Sequence, residues 1–136
     1  MLTETDIAPC GVACRLCMAF QRERKPCVGC LREGPKPNHC AACSIKECPE
    51  KRGDPSLSCG ACELFPCRRI RDLSKRYAAK YGEDLVALLR KREDEGLRAV
   101  LDYLERRWRC PSCGDYLCLH DKACRRCGAE NPRWPA

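Results

Sequence analysis

Residues 110–128 read CPSCGDYLCLHDKACRRCG and contain two C-x-x-C pairs, each followed by glycine, with ten residues between the pairs. Two thiolates spaced in this way can both face one metal ion, because the short segment between them turns and leaves both sulfurs on its inside. The glycine after each pair lets the backbone turn so that amide groups point at the sulfurs. We call each pair a knuckle. The spacing predicts a zinc ribbon with a tetrahedral site formed by Cys110, Cys113, Cys124 and Cys127.

Two further residues of this stretch, Cys118 and His120, lie on the loop between the knuckles. A structural zinc site takes four ligands, so neither residue is needed to complete it. We expect His120 to be a surface histidine. The alternative is that it hydrogen-bonds a metal ligand or acts as a ligand itself.

Residues 1–67 hold eleven of the sixteen cysteines and almost no hydrophobic periodicity. The pattern C-x2-C-x4-C at Cys40 recurs nineteen residues later at Cys59, which predicts two similar turns. We interpret His39 as a loop residue, in preference to a twelfth metal ligand. We predict loops and short turns organised by metal, with these ligands: Cys10, Cys14, Cys17, Cys27, Cys30, Cys40, Cys43, Cys48, Cys59, Cys62 and Cys67.

The metal of this N-terminal segment is zinc or a 4Fe-4S cluster, since both accept four thiolates. The spacing from Cys27 to Cys43 fits zinc, whereas the C-x-G-C motif ending at Cys30 is similar to a ferredoxin loop. The C-x3-C-x2-C spacing at Cys10 occurs in radical S-adenosylmethionine enzymes, but the chain lacks their alternating strands and helices. Zinc is slightly favoured for this segment, because the C-terminal ribbon of the same chain is predicted to bind zinc.

Residues 68–109 contain no cysteine, and their apolar residues recur at helical spacing from Ile70 to Trp108. Gly82 and Gly96 interrupt this pattern where helix ends would lie, and Glu83 and Asp84 suit the start of the next helix. We predict three helices and interpret their apolar stripe as core. The chain is therefore expected to be a small metal-stapled α+β protein, with an irregular cysteine-rich N-terminal module (1–67), central helices (68–109) and a C-terminal zinc ribbon with its tail (110–136).

The formal charge is +7, and residues 68–109 carry thirteen Lys or Arg against eight Asp or Glu. Each four-thiolate site would carry a charge of about −2, so basic residues that offset metal sites are favoured over a phosphate-binding surface. The first seven residues are polar and acidic, and no run of about eighteen apolar residues is present. These features predict a cytoplasmic protein with reduced thiols and no membrane span.

The motifs together resemble a family of short cysteine-rich bacterial and archaeal proteins classed as a domain of unknown function. The resemblance covers C-G-x2-C-x-x-C at Cys10, C-x-G-C at Cys27, C-x-x-C-x-I-x-x-C at Cys40, C-x-x-C-x3-P-C at Cys59 and W-x-C-P-x-C-G at Trp108. It implies metal binding at these cysteines, but no activity, substrate or partner.

We expect that the protein is not an enzyme, because the sequence has no free nucleophile beside a base and no glycine-rich phosphate loop. The favoured function is a multi-site metal-binding protein, a zinc-stabilised adaptor that binds a protein, or a nucleic acid through the basic helices. The alternative is an iron-sulfur electron-transfer or redox accessory protein that uses the N-terminal cysteines.

Overall fold

The computed structural model describes residues 2–31, 34–36, 43, 45, 48–51, 54 and 57–135. Two residues considered in the sequence analysis, His39 and Cys40, lie outside these ranges. The described α-helices are α1 (Met18–Gln21), α2 (Arg68–Tyr81), α3 (Leu85–Glu95) and α4 (Leu97–Arg107). Short 3₁₀ helices cover Glu4–Asp6, Cys14–Leu16, Pro49–Lys51 and Cys59–Ala61. No helix in these ranges is long and apolar enough to cross a bilayer.

Strand pairing within the described ranges is limited to three isolated bridges. These bridges join Ile7 to Ala13, Arg109 to Tyr116 and Ala123 to Glu130. The chain is thus cysteine-rich, its regular secondary structure is almost all helical where it is described, and the β component of the expected α+β class stays a prediction.

Local signals set the ends of the three longer helices. Helix α2 ends at Gly82, which has a left-handed backbone (φ 74°). Asp84 caps α3, because its carboxylate accepts the Ala87 N–H at 3.0 Å and the Ser74 hydroxyl at 3.1 Å. Gly96 separates α3 from α4. These breaks fold α2, α3 and α4 back on one another, so that their apolar faces can share a core.

The main core draws on all three predicted segments. Four residues of the apolar stripe that we interpret as core are all buried, namely Leu88, Val100, Leu101 and Leu104. Around them the core includes Leu2, Ile7, Ala13 and Leu16 from the N-terminal segment, and Trp108, Cys110, Leu117, Leu119 and Cys124 from the C-terminal end. The ribbon and the start of the chain therefore pack against the same helices.

Trp108 joins α4 to the ribbon from inside this core. Its indole is fully buried and donates a hydrogen bond of 2.7 Å to Oε2 of Glu83. Arg107 lies 3.4 Å from the same carboxylate oxygen. Burial raises the pKa of Glu83, although the Trp108 and Arg107 contacts oppose this shift. Glu83 is thus a buried partner of Trp108, and Asp84 alone supplies the helix cap.

Hydrogen bonds tie the first twenty-one residues to the C-terminal half of the chain. The Leu2 amide donates to Glu105 at 2.6 Å. The Leu119 amide donates to the Leu16 carbonyl at 2.8 Å, and the Gln21 side chain donates to the Leu117 carbonyl at 3.0 Å. These bonds hold the N-terminal segment against the loop between the two ribbon knuckles.

Candidate metal centre

The two ribbon knuckles have the same backbone structure. In the first, the Cys110 amide donates to the Asp115 carbonyl at 2.7 Å, and the Gly114 amide donates to the Cys110 carbonyl at 2.9 Å. The second repeats both bonds at equivalent positions, at 2.7 and 2.8 Å. Gly114 and Gly128 have φ of 78° and 79°, a conformation that side-chain-bearing residues rarely adopt. The glycines therefore let each chain segment fold back under its pair of sulfurs.

The four ribbon sulfurs converge on one point. The Sγ atoms of Cys110 and Cys127 lie 3.6 Å apart, and those of Cys113 and Cys124 lie 3.8 Å apart. All four lie within 4.8 Å of one another. Among the described residues, no other group of three or more His, Cys, Asp or Glu is gathered as closely. The predicted ribbon ligands could therefore bind a metal ion together.

Backbone amides stabilise negative charge on these sulfurs. The Cys113 and Ser112 amides donate to Cys110 and lower the pKa of its thiol to about 7. The Asp115 amide acts in the same direction on Cys113, but desolvation and neighbouring thiols, Cys124 among them, raise its pKa to about 11. The amide groups thus favour the thiolate form that a metal ion binds, and a cation would displace the remaining protons.

The site is buried on one side and open on the other. Cys110 and Cys124 belong to the hydrophobic core, whereas Cys113 and Cys127 are exposed. Each knuckle thus contributes its first cysteine to the interior and its second to the surface. Loss of the site would disturb the core as well as the ribbon.

Cys118 is not part of this group. Its side chain is fully buried, and burial raises the pKa of its thiol to about 11. The residue therefore stays protonated at neutral pH and fills core space between the knuckles.

His120 is half-buried and hydrogen-bonded, and it lies outside the group of four close ribbon sulfurs. Its Nδ1 accepts the Met18 amide at 3.2 Å, and its Nε2 lies 3.2 Å from the Tyr77 hydroxyl. The edge of its ring also meets Tyr81, with centroids 4.7 Å apart. Burial lowers the pKa of His120, which favours the neutral ring that these contacts require. The histidine joins α1, α2 and the ribbon loop.

The N-terminal cysteines are described except for Cys40, and they gather at two places. One is the stretch from Cys14 to Cys30, which begins beside the core residues Ala13 and Leu16. The other is a small cavity beneath α2, whose lining includes four cysteines: Cys48, Cys59, Cys62 and Cys67. Cys10 lies between the two places, because it interacts electrostatically with Cys30, Cys43 and Cys59, and burial raises its pKa to about 12.

Two N-terminal pairs have a local structure that differs from the ribbon knuckles. Cys14 and Cys59 each begin a 3₁₀ helix that ends before the next cysteine. The amides of Cys17 and Cys62 donate back to these first cysteines at 3.0 and 3.2 Å. The repeat that the spacing predicts includes Cys40, which lies outside the described residues.

An arginine-rich cleft lies between the α1 region and the ribbon. Sequence reasoning missed it, because the basic residues come from segments about a hundred positions apart and the predicted basic surface was on the helices. Two carboxylates, of Glu23 and Asp115, also line it. The other charged and aromatic lining residues are Arg15, Phe20, Arg22, Arg24, Tyr116, Arg125 and Arg126.

Comparison with known proteins adds no relative to this description. No protein-family model, curated protein or solved structure matches the chain. The resemblance to the short cysteine-rich family stays a prediction, and the assignment of the metal centre depends on the spacing and geometry of its cysteines.

Proposed function

We propose that the protein is a non-enzymatic adaptor whose C-terminal ribbon is stabilised by one zinc ion. The observation that carries this proposal is the pair of Sγ separations, 3.6 and 3.8 Å. A tetrahedron with Zn–S bonds of about 2.3 Å has edges of about 3.8 Å. In a 4Fe-4S cluster each thiolate binds a different iron atom, which holds the sulfurs farther apart. The ribbon spacing therefore supports a single ion.

The coordination also supports a structural role for this ion. Four thiolates complete a tetrahedral site and leave no position for water or substrate, which a catalytic zinc requires. The amide groups that point at Cys110 and Cys113 favour ligands that stay bound. We therefore assign the ion to folding and not to a reaction.

The arginine-rich cleft supports a nucleic acid as the partner. Its five arginines outnumber its two carboxylates, and arginine binds phosphate groups in bidentate geometry. Ion pairs reduce this excess, since Arg126 lies 3.5 Å from Asp115 and Arg125 pairs with Asp121. Arg22 and Arg24 have no such ion pair among the described residues, so we propose that they contact phosphate first.

Metal analysis tests the first half of this proposal. We expect protein purified without oxygen to contain zinc, and Cys113→Ser to contain one zinc ion fewer per chain by plasma mass spectrometry. The matched control is Cys118→Ser, which we expect to keep the wild-type content. Full zinc content in Cys113→Ser would refute the ribbon site.

Nucleic-acid binding tests the second half. We expect a fluorescent single-stranded RNA to bind with strong salt dependence, and the Arg22→Ala/Arg24→Ala variant to reduce the salt slope by about 1.4, because each phosphate contact to a single strand contributes about 0.7. Arg98→Ala/Arg106→Ala, which removes two exposed arginines of α4, serves as the charge-matched control. Equal affinity in all three proteins would reject the cleft, and a bound protein partner would then be the remaining adaptor function.

The second candidate function is iron-sulfur electron transfer by the N-terminal module. The feature that favours it is the C-x-G-C motif ending at Cys30, which is similar to a ferredoxin loop and whose last cysteine contacts Cys14. Iron with matching acid-labile sulfide in the purified protein would support this function, and zinc alone would remove it.

A further inference from the structure

We propose that Cys14, Cys17, Cys27 and Cys30 form a second metal centre held by four thiolates. The centre goes beyond the proposed function, because it does not depend on the ribbon or on a partner. Its chemical class is a soft metal that accepts four thiolates, which is either one zinc ion or one 4Fe-4S cluster.

The spacing of these four residues is close to that of the ribbon. They follow C-x2-C-x9-C-x2-C, whereas the ribbon follows C-x2-C-x10-C-x2-C. Spacing alone does not select them, since the pattern from Cys27 to Cys43 is the same. Contacts between the first and second pair decide the grouping.

The two pairs touch directly in the structure. The Cys30 amide donates to Sγ of Cys14 at 3.4 Å. A Cβ atom on Gly29 would lie 3.7 Å from the Cβ of Cys14, so the second pair passes close to the first. The Cys27 amide also donates to the Ala19 carbonyl at 2.7 Å, which fastens the second pair to the helix that follows the first.

Amide groups point at the sulfurs here as they do in the ribbon. The Gly29 amide donates to Sγ of Cys27 at 3.4 Å. Such N–H···S bonds stabilise a thiolate and orient it toward a metal. Cys17 also lies close enough to both cysteines of the second pair to interact with them electrostatically. Sulfurs of both pairs therefore already have the environment of a ligand.

Most of the other described N-terminal cysteines lie away from this centre, and Cys10 borders it through its electrostatic interaction with Cys30. Four of them line the cavity beneath α2, and Cys40 lies outside the described residues. The sulfurs of the proposed centre are spread more widely than those of the ribbon. A zinc ion would require their side chains to turn inward, whereas a cluster would bind them farther apart.

The test compares paired substitutions in oxygen-free protein. We expect Cys27→Ser/Cys30→Ser to lose either one zinc ion or about four iron atoms with equal sulfide, and to keep the ribbon zinc. Cys124→Ser/Cys127→Ser should lose the ribbon zinc alone, so failure of one site is distinguishable from failure of the other. Wild-type metal content in Cys27→Ser/Cys30→Ser would overturn the centre.

A second measurement tests the proposed centre even if the double variant Cys27→Ser/Cys30→Ser folds poorly. In Cys30→Ser, alkylation followed by mass spectrometry should show that Cys14, Cys17 and Cys27 become reactive together, while the ribbon cysteines stay protected. Protection of these three at the wild-type level would overturn the proposal, as would reactivity that rises equally at every cysteine.

Discussion

The C-terminal ribbon and the N-terminal module use cysteine in different ways. The ribbon brings four sulfurs within 4.8 Å with five cysteines in the segment, whereas the module has eleven cysteines and no such group among its described residues. The ribbon repeats one backbone turn twice, each time with a glycine at positive φ after the second cysteine. The module uses 3₁₀ turns without that glycine. Convergence of sulfurs thus depends on the backbone that carries them more than on their number.

Removal of the ribbon metal is the change with the largest expected effect. A structural zinc ion contributes folding free energy on the order of 10 kcal/mol, and two of the ribbon cysteines belong to the core. We therefore expect a strong chelator to abolish cooperative thermal unfolding measured by circular dichroism. An unchanged melting curve after proven loss of zinc would mean that the ribbon fold does not need its ion, and would remove the contrast with the module.

Truncation in the shared core should weaken both regions together. Leu101 is 7 % exposed and contacts the cluster that joins the helices to both ends of the chain. Leu101→Ala should cost about 2 to 5 kcal/mol as a cavity mutation, measured by denaturant unfolding. The matched control, Leu64→Ala, removes an exposed side chain and should change stability by less than about 0.5 kcal/mol. Two separate transitions in Leu101→Ala would mean that the regions do not share one core.

The junction between α4 and the ribbon can be weakened selectively at Trp108. Trp108→Phe keeps the aromatic ring but removes the donor to the buried Glu83 carboxylate. An unsatisfied buried acceptor costs about 1 to 3 kcal/mol. We expect denaturant unfolding of Trp108→Phe to show this loss of stability. The double variant Trp108→Phe/Glu83→Gln should regain part of it, because Glu83→Gln removes the buried charge. Additive single effects would show that the hydrogen bond does not couple the two residues.

The smallest expected effect is at His120, the contact between the two regions. His120→Ala removes an acceptor for the Met18 amide and should cost about 1 kcal/mol at neutral pH. Burial lowers the pKa of His120 in the fold, so its contribution is present above the ordinary value of about 6.5 and is lost as pH falls through the folded value. Wild type should therefore lose more stability than His120→Ala on mild acidification. Parallel pH profiles would contradict this link.

The parts of the molecule that follow from local sequence were predictable. The apolar period predicts the buried faces of α3 and α4, and the C-x-x-C-G repeat predicts the convergence of the ribbon cysteines. The partners of Glu83 and His120 were not predictable, because each lies more than twenty residues away in the chain. Eleven thiols with similar spacings also allow many groupings, and only tertiary contacts such as Cys30 with Cys14 choose among them.

The bond between the Leu119 amide and the Leu16 carbonyl has a consequence for how the protein is made. Its two ends are separated by 103 positions, as are those of the bond from Leu2 to Glu105. A ribosome adds about 5 to 20 residues per second, so residues near Leu16 wait for roughly 5 to 20 s before their partners exist. During that interval the first cysteines are exposed to metals, oxidants and chaperones without the ribbon that later holds them in place.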